Sequence, residues 1–293
     1  MKILECEDKD FPKSLLKIKN SPKRLWVQGN AEILNKKAIS IVGSRKCSEY
    51  GKKWCEKFTK DLLEYDLVIV SGMAIGIDKI AHETALKYGG KTIAVLPSGF
   101  ENIYPKENLK LYKDIIENDG AVVTEYSPEI KASKEKFLER NRIVSGLGIG
   151  TLVIEAAYRS GTSVTANITK NEGKMVFCIP GSLDNSKSVG TNALIQRGAK
   201  LVQCVEDIVS NYNFLNKEFD FSQVETKLDD FKDIDEEYRD LYKIICKGPI
   251  SINILAKQAK ISINEAISKI SMLEIEGKIE RNERQEICIV KNK

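Results

Sequence analysis

The chain has 293 residues, of which 42% are hydrophobic and 30% are charged, a composition that supports a large core and excludes a disordered polypeptide. The longest apolar stretches, Leu67–Ile77 and Gly146–Ile154, are too short to span a membrane, and the mixed charges of Met1–Asp10 do not resemble a secretion signal. The seven cysteines form no Cys-x-x-Cys pair, so we expect a cytoplasmic protein with reduced thiols and no zinc site.

Positive charge is concentrated in the first 212 residues. The whole chain carries a net charge of +4, whereas residues 213–235 hold three basic and seven acidic side chains and residues 236–293 hold eleven and nine. This distribution predicts that the N-terminal part, rather than the tail, contacts a polyanion. A solvated lysine-rich surface explains the same excess, so charge alone leaves the partner open.

Between Ala38 and Asn211, short apolar runs rich in β-branched residues alternate with helical patterns such as Tyr50–Tyr65. Strands that are buried on both faces have continuous apolar runs. The pattern therefore predicts an α/β fold, with a Rossmann-like, largely parallel sheet and helices on both faces. The segment Phe11–Gly29 is expected to add a short helix and a strand. The predicted strands are Ala38–Val42, Leu67–Val70, Thr92–Leu96, Ala121–Thr124, Thr151–Glu155, Met175–Ile179 and Lys200–Val202.

A second, smaller domain is predicted at the C-terminal end. Residues 213–235 are acidic and weakly periodic, which indicates a linker after a first domain of residues 1–212. Residues 236–293 contain three helical patterns, the third of which begins at Ser262 with Glu265 in capping-box position. Lys278–Val290 has the pattern of a two-stranded ribbon, so residues 236–293 are predicted to form a winged helix.

Glycine and serine follow four of the predicted strands. They occur in Gly43-Ser44-Arg45, Ser71-Gly72, Pro97-Ser98-Gly99 and Pro180-Gly181-Ser182. The carboxyl ends of parallel strands line the ligand crevice of an open sheet, where small residues let backbone N–H groups approach a phosphate. One such turn is explained by sterics alone, but four at one edge predict a groove for a polyphosphate or a nucleic acid.

Cations and an aromatic side chain are predicted at the same edge. Arg45 follows the first glycine turn, Lys106 follows the third strand, and Arg140-Asn141-Arg142 comes shortly after Phe137. Arg159 precedes Ser160-Gly161-Thr162. Guanidinium groups pair with phosphates, and an aromatic ring offers a base a stacking face. Two alternatives stay open: core packing for Phe137, and an ion pair with Glu155 for Arg142.

Common catalytic signatures are absent from the sequence. Gly90-Lys91-Thr92 lacks the earlier glycine of a P-loop, and Gly146-x-Gly148-x-Gly150 precedes its strand instead of following it. Asp78 and His82 lie four residues apart on one helix face, as a catalytic pair or, in our preferred interpretation, as residues that orient a neighbouring loop. We expect no enzymatic activity and no cofactor.

Seven segments together resemble one family in their order and spacing. They are IVGSRKCSEYG (41–51), SGMAIGIDKIAH (71–82), TIAVLPSGFENIYPKEN (92–108), TEYSP (124–128), FLERNRIVSGL (137–147), RSGTSVTANI (159–168) and IPGSLDNSKSVGTNALIQRGAKLV (179–202). The set resembles the DprA/Smf family of bacterial DNA-processing proteins. One departure is Ile75, which stands where the family usually has a basic residue.

The resemblance implies a homodimeric, non-enzymatic protein of natural transformation. Such a protein binds and protects incoming single-stranded DNA and helps to load the RecA recombinase. By position, the resemblance assigns the groove side chains to Arg45, Lys106, Phe137, Arg140 and Arg142. The backbone floor is assigned to Gly43, Ser71, Gly72, Gly99, Ser160, Gly161 and Thr165. Ser44 and Asn141 stand between these positions and complete the predicted DNA-binding set.

Two other functions are compatible with parts of the sequence. Gly148-Ile149-Gly150-Thr151-x-x-x-Glu155 resembles the nucleotide phosphoribohydrolases of the LOG group, although Gly146-Leu147-Gly148 stands where that group has Pro-Gly-Gly. A transcription factor would use its winged helix to bind duplex DNA. Against this, the predicted recognition helix Ile263–Glu276 carries three glutamates beside Lys269.

Overall fold

The computed structural model describes residues 1–158, 160–212, 235–245, 250–259, 261–282 and 287–289. The chain divides into two compact units, residues 1–216 and 217–293. The predicted linker 213–235 lies outside the described residues except for Asp235, and so does Arg159. The predicted domain boundaries therefore stay predictions.

A nine-stranded sheet forms the centre of the first unit, in the order β1-β2-β6-β5-β4-β3-β7-β8-β9. The seven strands from β6 to β9 in this order are parallel, and β2 and β1 continue the sheet antiparallel beyond β6. The strands are β1 (Lys2–Glu5), β2 (Arg24–Gly29), β3 (Ala38–Val42), β4 (Val68–Ser71), β5 (Thr92–Val95), β6 (Ala121–Thr124), β7 (Gly150–Val153), β8 (Met175–Cys178) and β9 (Lys200–Leu201).

The strand order reverses direction between β3 and β7. From β3 the chain builds outward through β4 and β5 to β6, and it then returns to place β7 on the other side of β3. In open α/β sheets, ligands bind at the carboxyl ends of the strands beside such a switch point. The topology therefore predicts a ligand site at the loops that follow β3 and β7.

Helices cover both faces of the sheet, as predicted. Along β3, Ile39 and Ile41 pack with α1, α2 and α7 in one core, whereas Ala38 and Val42 belong to the core that contains α4, α5 and α6. Within the described residues, no helix is both long and apolar enough to cross a membrane. The helices are α1 (Glu49–Leu63), α2 (Ile77–Lys87), α3 (Leu109–Glu117), α4 (Lys134–Leu147), α5 (Gly161–Asn171), α6 (Val189–Gln196) and α7 (Glu206–Val209).

The described residues of the second unit form three α-helices and a pair of antiparallel strands. Leu255, Ile270 and Leu273 are fully buried in its own hydrophobic core. Ser262 caps the third helix, because its side chain accepts a hydrogen bond of 3.1 Å from the Glu265 N–H. The described elements follow the predicted order, while the winged-helix assignment stays a prediction. They are α8 (Arg239–Ile245), α9 (Ile252–Ala259), α10 (Ile263–Ile275), β10 (Ile279–Arg281) and β11 (Ile287–Ile289).

Candidate nucleic-acid interface

A groove of about 670 Å³ opens at the carboxyl ends of β3 and β7, in the first unit. Four residues of the predicted set, Ser71, Gly99, Lys106 and Arg142, lie outside its lining. The other ten members of that set line it: Gly43, Ser44, Arg45, Gly72, Phe137, Arg140, Asn141, Ser160, Gly161 and Thr165.

Backbone groups and a helix N-terminus form one side of this groove. Ser160 caps α5 by accepting a hydrogen bond of 3.4 Å from the Ser163 N–H, and the Thr162 hydroxyl donates to the Gly43 carbonyl at 3.0 Å. A Cβ on Gly43 would lie 2.6 Å from Ile77 Cγ1, so this turn packs on α2 only with glycine. Unpaired N–H groups at a helix N-terminus favour anions, which makes this side suitable for a phosphate.

An aromatic residue with cationic neighbours forms another part of the groove lining. The half-buried Phe137 ring lies 4.7 Å from Cζ of the exposed Arg45. The Tyr104 ring is 5.6 Å from that of Phe137 and nearly perpendicular to it, at 81°. Phe137 therefore contacts other groove side chains, while Arg45 keeps its guanidinium accessible to a ligand.

Arg140 lies in the floor of the groove and is only 4% exposed. Its Nη1 donates hydrogen bonds to the backbone carbonyls of Gly72 and Val95, which follow or end neighbouring strands. Burial lowers the pKa of Arg140 to about 10, and the negative charge of Asp78 opposes that shift. Arg140 thus fixes the loops that form the floor.

Asp78 and His82 have separate hydrogen-bond partners. The Asp78 carboxylate accepts from the N–H groups of Gly72 at 3.2 Å and Ala74 at 3.4 Å. His82 Nδ1 lies 2.7 Å from the Thr92 hydroxyl, which itself donates to a backbone carbonyl, so the imidazole donates to Thr92. Burial lowers the pKa of His82 to about 3. These partners favour loop orientation by Asp78 over a catalytic pair.

The suggested ion pair between Arg142 and Glu155 is wrong. Arg142 pairs instead with Glu125, the residue that follows β6. Glu155 accepts hydrogen bonds from the backbone N–H of Ser48, at 2.9 Å, and from its hydroxyl. Arg142 on α4 points to the loop after β6, whereas Glu155 faces the N-terminus of α1, so the two side chains have different neighbours.

Arg142→Ala is expected to lower the free energy of unfolding by about 1–3 kcal/mol at neutral pH, because it leaves a largely buried carboxylate unpaired. Burial raises the pKa of Glu125 and Arg142 opposes that rise, so the variant's Glu125 pKa is higher still. The folded variant then binds a proton on Glu125 more tightly than the unfolded chain does. The stability of the variant therefore falls as pH rises through the raised pKa.

The stability deficit of Arg142→Ala is therefore expected to be largest at neutral pH and to shrink below the ordinary glutamate pKa of about 4.3. Urea unfolding at neutral pH and below the ordinary glutamate pKa of about 4.3 measures this deficit. Glu125→Gln is the matched control, because in that background there is no carboxylate to leave unpaired. A deficit that is independent of pH would contradict this account of the pair.

Three more residues of the predicted DNA-binding set lie outside the groove lining. The Ser71 hydroxyl is buried and donates to the carbonyl of Ile41, on the neighbouring strand β3, at 2.6 Å. Gly99 allows close packing on the 127–128 backbone, which a Cβ would meet at 2.0 Å. Lys106 is exposed in a 3-10 turn, Lys106–Asn108.

Sequence reasoning missed several groove residues. Ser133, Lys134, Leu138 and Tyr104 all line the groove. Ser133 caps α4, with its hydroxyl 3.5 Å from the Lys136 N–H, so Lys134 begins a helix beside the strand ends. A capping serine followed by a cation can be recognised in the sequence. Only the docking of α4 in the structure shows that this helix start faces the groove.

This arrangement of sheet and groove defines a class of protein. A largely parallel α/β sheet with a glycine-lined, cationic groove at its switch point is typical of proteins that bind phosphate-containing ligands. The family model for DNA recombination-mediator protein A matches residues 2–213. The chain therefore belongs to the DNA recombination-mediator protein A family, as the sequence motifs predicted.

Curated relatives carry the names DprA and Smf. The DNA processing protein DprA of Streptococcus pneumoniae is 44% identical over 207 residues, which cover 71% of this chain and 73% of the relative. Protein Smf of Escherichia coli is 34% identical over 276 residues, covering 94% and 74%. The second alignment extends beyond the residues that the family model matches.

Two solved structures are similar to a large part of this chain. The crystal structure of Streptococcus pneumoniae DprA has a TM-score of 0.68 at 44% identity, covering 71% of this chain and 73% of that one. Helicobacter pylori DprA, whose structure was described for its single-stranded DNA binding mode, has a TM-score of 0.65 at 30% identity, covering 72% and 95%. These comparisons agree with the α/β fold described above.

Proposed function

We propose that this protein binds single-stranded DNA in the groove between the loops after β3 and β7. The observation that carries the proposal is the position of Arg45, which is exposed and has its Cζ 4.7 Å from the Phe137 ring centroid, in the same groove lining as the N-terminus of α5. The lining offers hydrogen-bond donors and a cation to phosphates, and aromatic rings to bases. The single-stranded DNA binding described for the Helicobacter pylori relative supports the same ligand.

A single strand fits this chemistry better than a duplex. Aromatic side chains beside cations bind unpaired bases by stacking, whereas the bases of a duplex have their faces covered. Backbone N–H groups and arginines contact phosphates without regard to sequence. We therefore infer that binding depends little on base sequence and strongly on salt.

The wider role is proposed on the basis of family membership. As part of the same proposal, the protein acts in the cytoplasm as a homodimer during natural transformation, protects incoming single strands, and helps to load RecA recombinase. The family model for a recombination mediator supports this role. The groove candidates all lie in the first unit, so we assign DNA binding to that unit.

We further propose that the protein has no hydrolytic activity on nucleotides. The glutamate of the LOG-like pattern, Glu155, is 1% exposed and bound by Ser48, and it lies outside the described groove lining. A carboxylate held in this way is not available to a substrate in the groove. Release of ribose 5-phosphate from a nucleoside monophosphate, abolished by Glu155→Gln, would contradict this part of the proposal.

Gel shifts with matched single-stranded and duplex DNA, at several salt concentrations, test the central proposal. We expect tighter binding of the single strand at every concentration and similar affinities for strands of different sequence. The logarithm of the affinity should fall linearly with the logarithm of the salt concentration. Equal or tighter binding of the duplex would overturn the proposal.

A further inference from the structure

Tyr104 lies in the groove lining and is 47% exposed. It follows β5 in the loop before α3, and the neighbouring Lys106 is outside the lining. Leu138, which is 44% exposed, also lines the groove. Two large side chains with apolar surface are thus presented to solvent inside a groove whose lining also carries hydrogen-bond donors.

The Phe137 ring has more contacts with neighbouring side chains than the Tyr104 ring has. The Arg45 guanidinium lies 4.7 Å from the Phe137 ring centroid, and Arg140 Cζ lies 5.9 Å from it. The Tyr104 ring approaches Phe137 at 81°, so the two rings are not stacked face to face. Phe137 is therefore suited to hold Arg45 by a cation–π contact, and Tyr104 has the more accessible ring.

We propose that Tyr104 is the residue on which a nucleobase stacks, with Phe137 as the support that positions Arg45. This inference rests on the proposed binding of single-stranded DNA. It divides the groove into two parts. The loop after β3, the N-terminus of α5 and Arg45 contact the sugar–phosphate backbone, and Tyr104 and Leu138 contact a base.

This division gives the two aromatic residues different expected effects. A base that stacks on an aromatic ring contributes the same contact whatever its identity, because every base has a π-face. Loss of Tyr104 therefore removes a base contact alone. Loss of Phe137 displaces Arg45, which weakens the phosphate contact whether or not a base is present.

Binding of two oligonucleotides distinguishes these roles: oligothymidylate and a strand of the same length in which every base is replaced by an abasic spacer. Tyr104→Leu is expected to weaken binding of oligothymidylate about 5- to 150-fold, the range for one stacked base, and to leave binding of the abasic strand unchanged. Tyr104→Phe is expected to retain the affinity for both strands. Phe137→Leu is expected to weaken binding of both.

Tyr88→Leu is the matched control, because Tyr88 is also 47% exposed but lies outside the lining. Thermal unfolding of each variant verifies that the fold is intact. If Tyr104→Leu binds oligothymidylate like wild type, or weakens both strands equally, the stacking assignment is overturned while DNA binding stands. If wild type binds neither strand, the proposed function itself fails, and this inference with it.

Discussion

Replacing Arg140 with alanine is expected to lower the free energy of unfolding by about 3–5 kcal/mol, the usual cost of removing one member of a buried charged network. The guanidinium donates to the carbonyls of Gly72 and Val95. Its charge also opposes the rise in the pKa of Asp78 that burial causes. The variant leaves two carbonyls without this donor and removes the cation that faces a buried carboxylate.

Urea unfolding at neutral pH measures this loss, and DNA binding is measured at a temperature where the variant stays folded. Arg140→Lys is the informative control: a lysine keeps the charge but lacks the planar fork that reaches both carbonyls, so we expect an intermediate loss of stability. An Arg140→Ala protein with the stability of wild type and reduced DNA affinity would show that Arg140 contacts the ligand instead of supporting the floor.

The parallel part of the sheet could be predicted because its strands are buried on both faces. All five residues of β3 and all four of β5 are buried, and continuous apolar runs reveal such strands. Strand β1 could not be predicted in this way. In Lys2–Glu5 only Leu4 is buried, and the strand exists because it pairs with β2, a contact that local periodicity does not contain.

The position of the groove was also predictable, but the directions of its side chains were not. Glycine turns after parallel strands lie at one edge of the sheet, but of the four predicted turns only those after β3 and β4 line the groove. The turns 97–99 and 180–182 lie outside its lining. Arg140, Asn141 and Arg142 are consecutive on α4, where each residue is rotated by about 100° from the last. They cannot all face one ligand, and only the docking of α4 places Arg140 in the floor of the groove and Arg142 against Glu125.

The second large effect is expected at Arg45, on DNA affinity instead of stability. Arg45→Ala should weaken binding of single-stranded DNA about 10- to 100-fold at low salt, because a charge-assisted hydrogen bond to a phosphate contributes ~1.5–3 kcal/mol. One phosphate contact also contributes about −0.7 to the slope of log affinity against log salt concentration. That slope should therefore become shallower by about this amount. Arg45 is exposed, so the free energy of unfolding should change little.

Two matched variants separate the charge of Arg45 from its shape. Arg45→Lys keeps a cation but loses the bidentate fork and the planar contact with Phe137, so its salt slope should stay near that of wild type while its affinity falls to an intermediate value. Lys106→Ala removes an exposed cation that lies outside the described groove lining, and its effect should be smaller than that of Arg45→Ala. If Lys106→Ala weakens binding more than Arg45→Ala does, the strand runs along the outer loop and the groove is not the main binding surface.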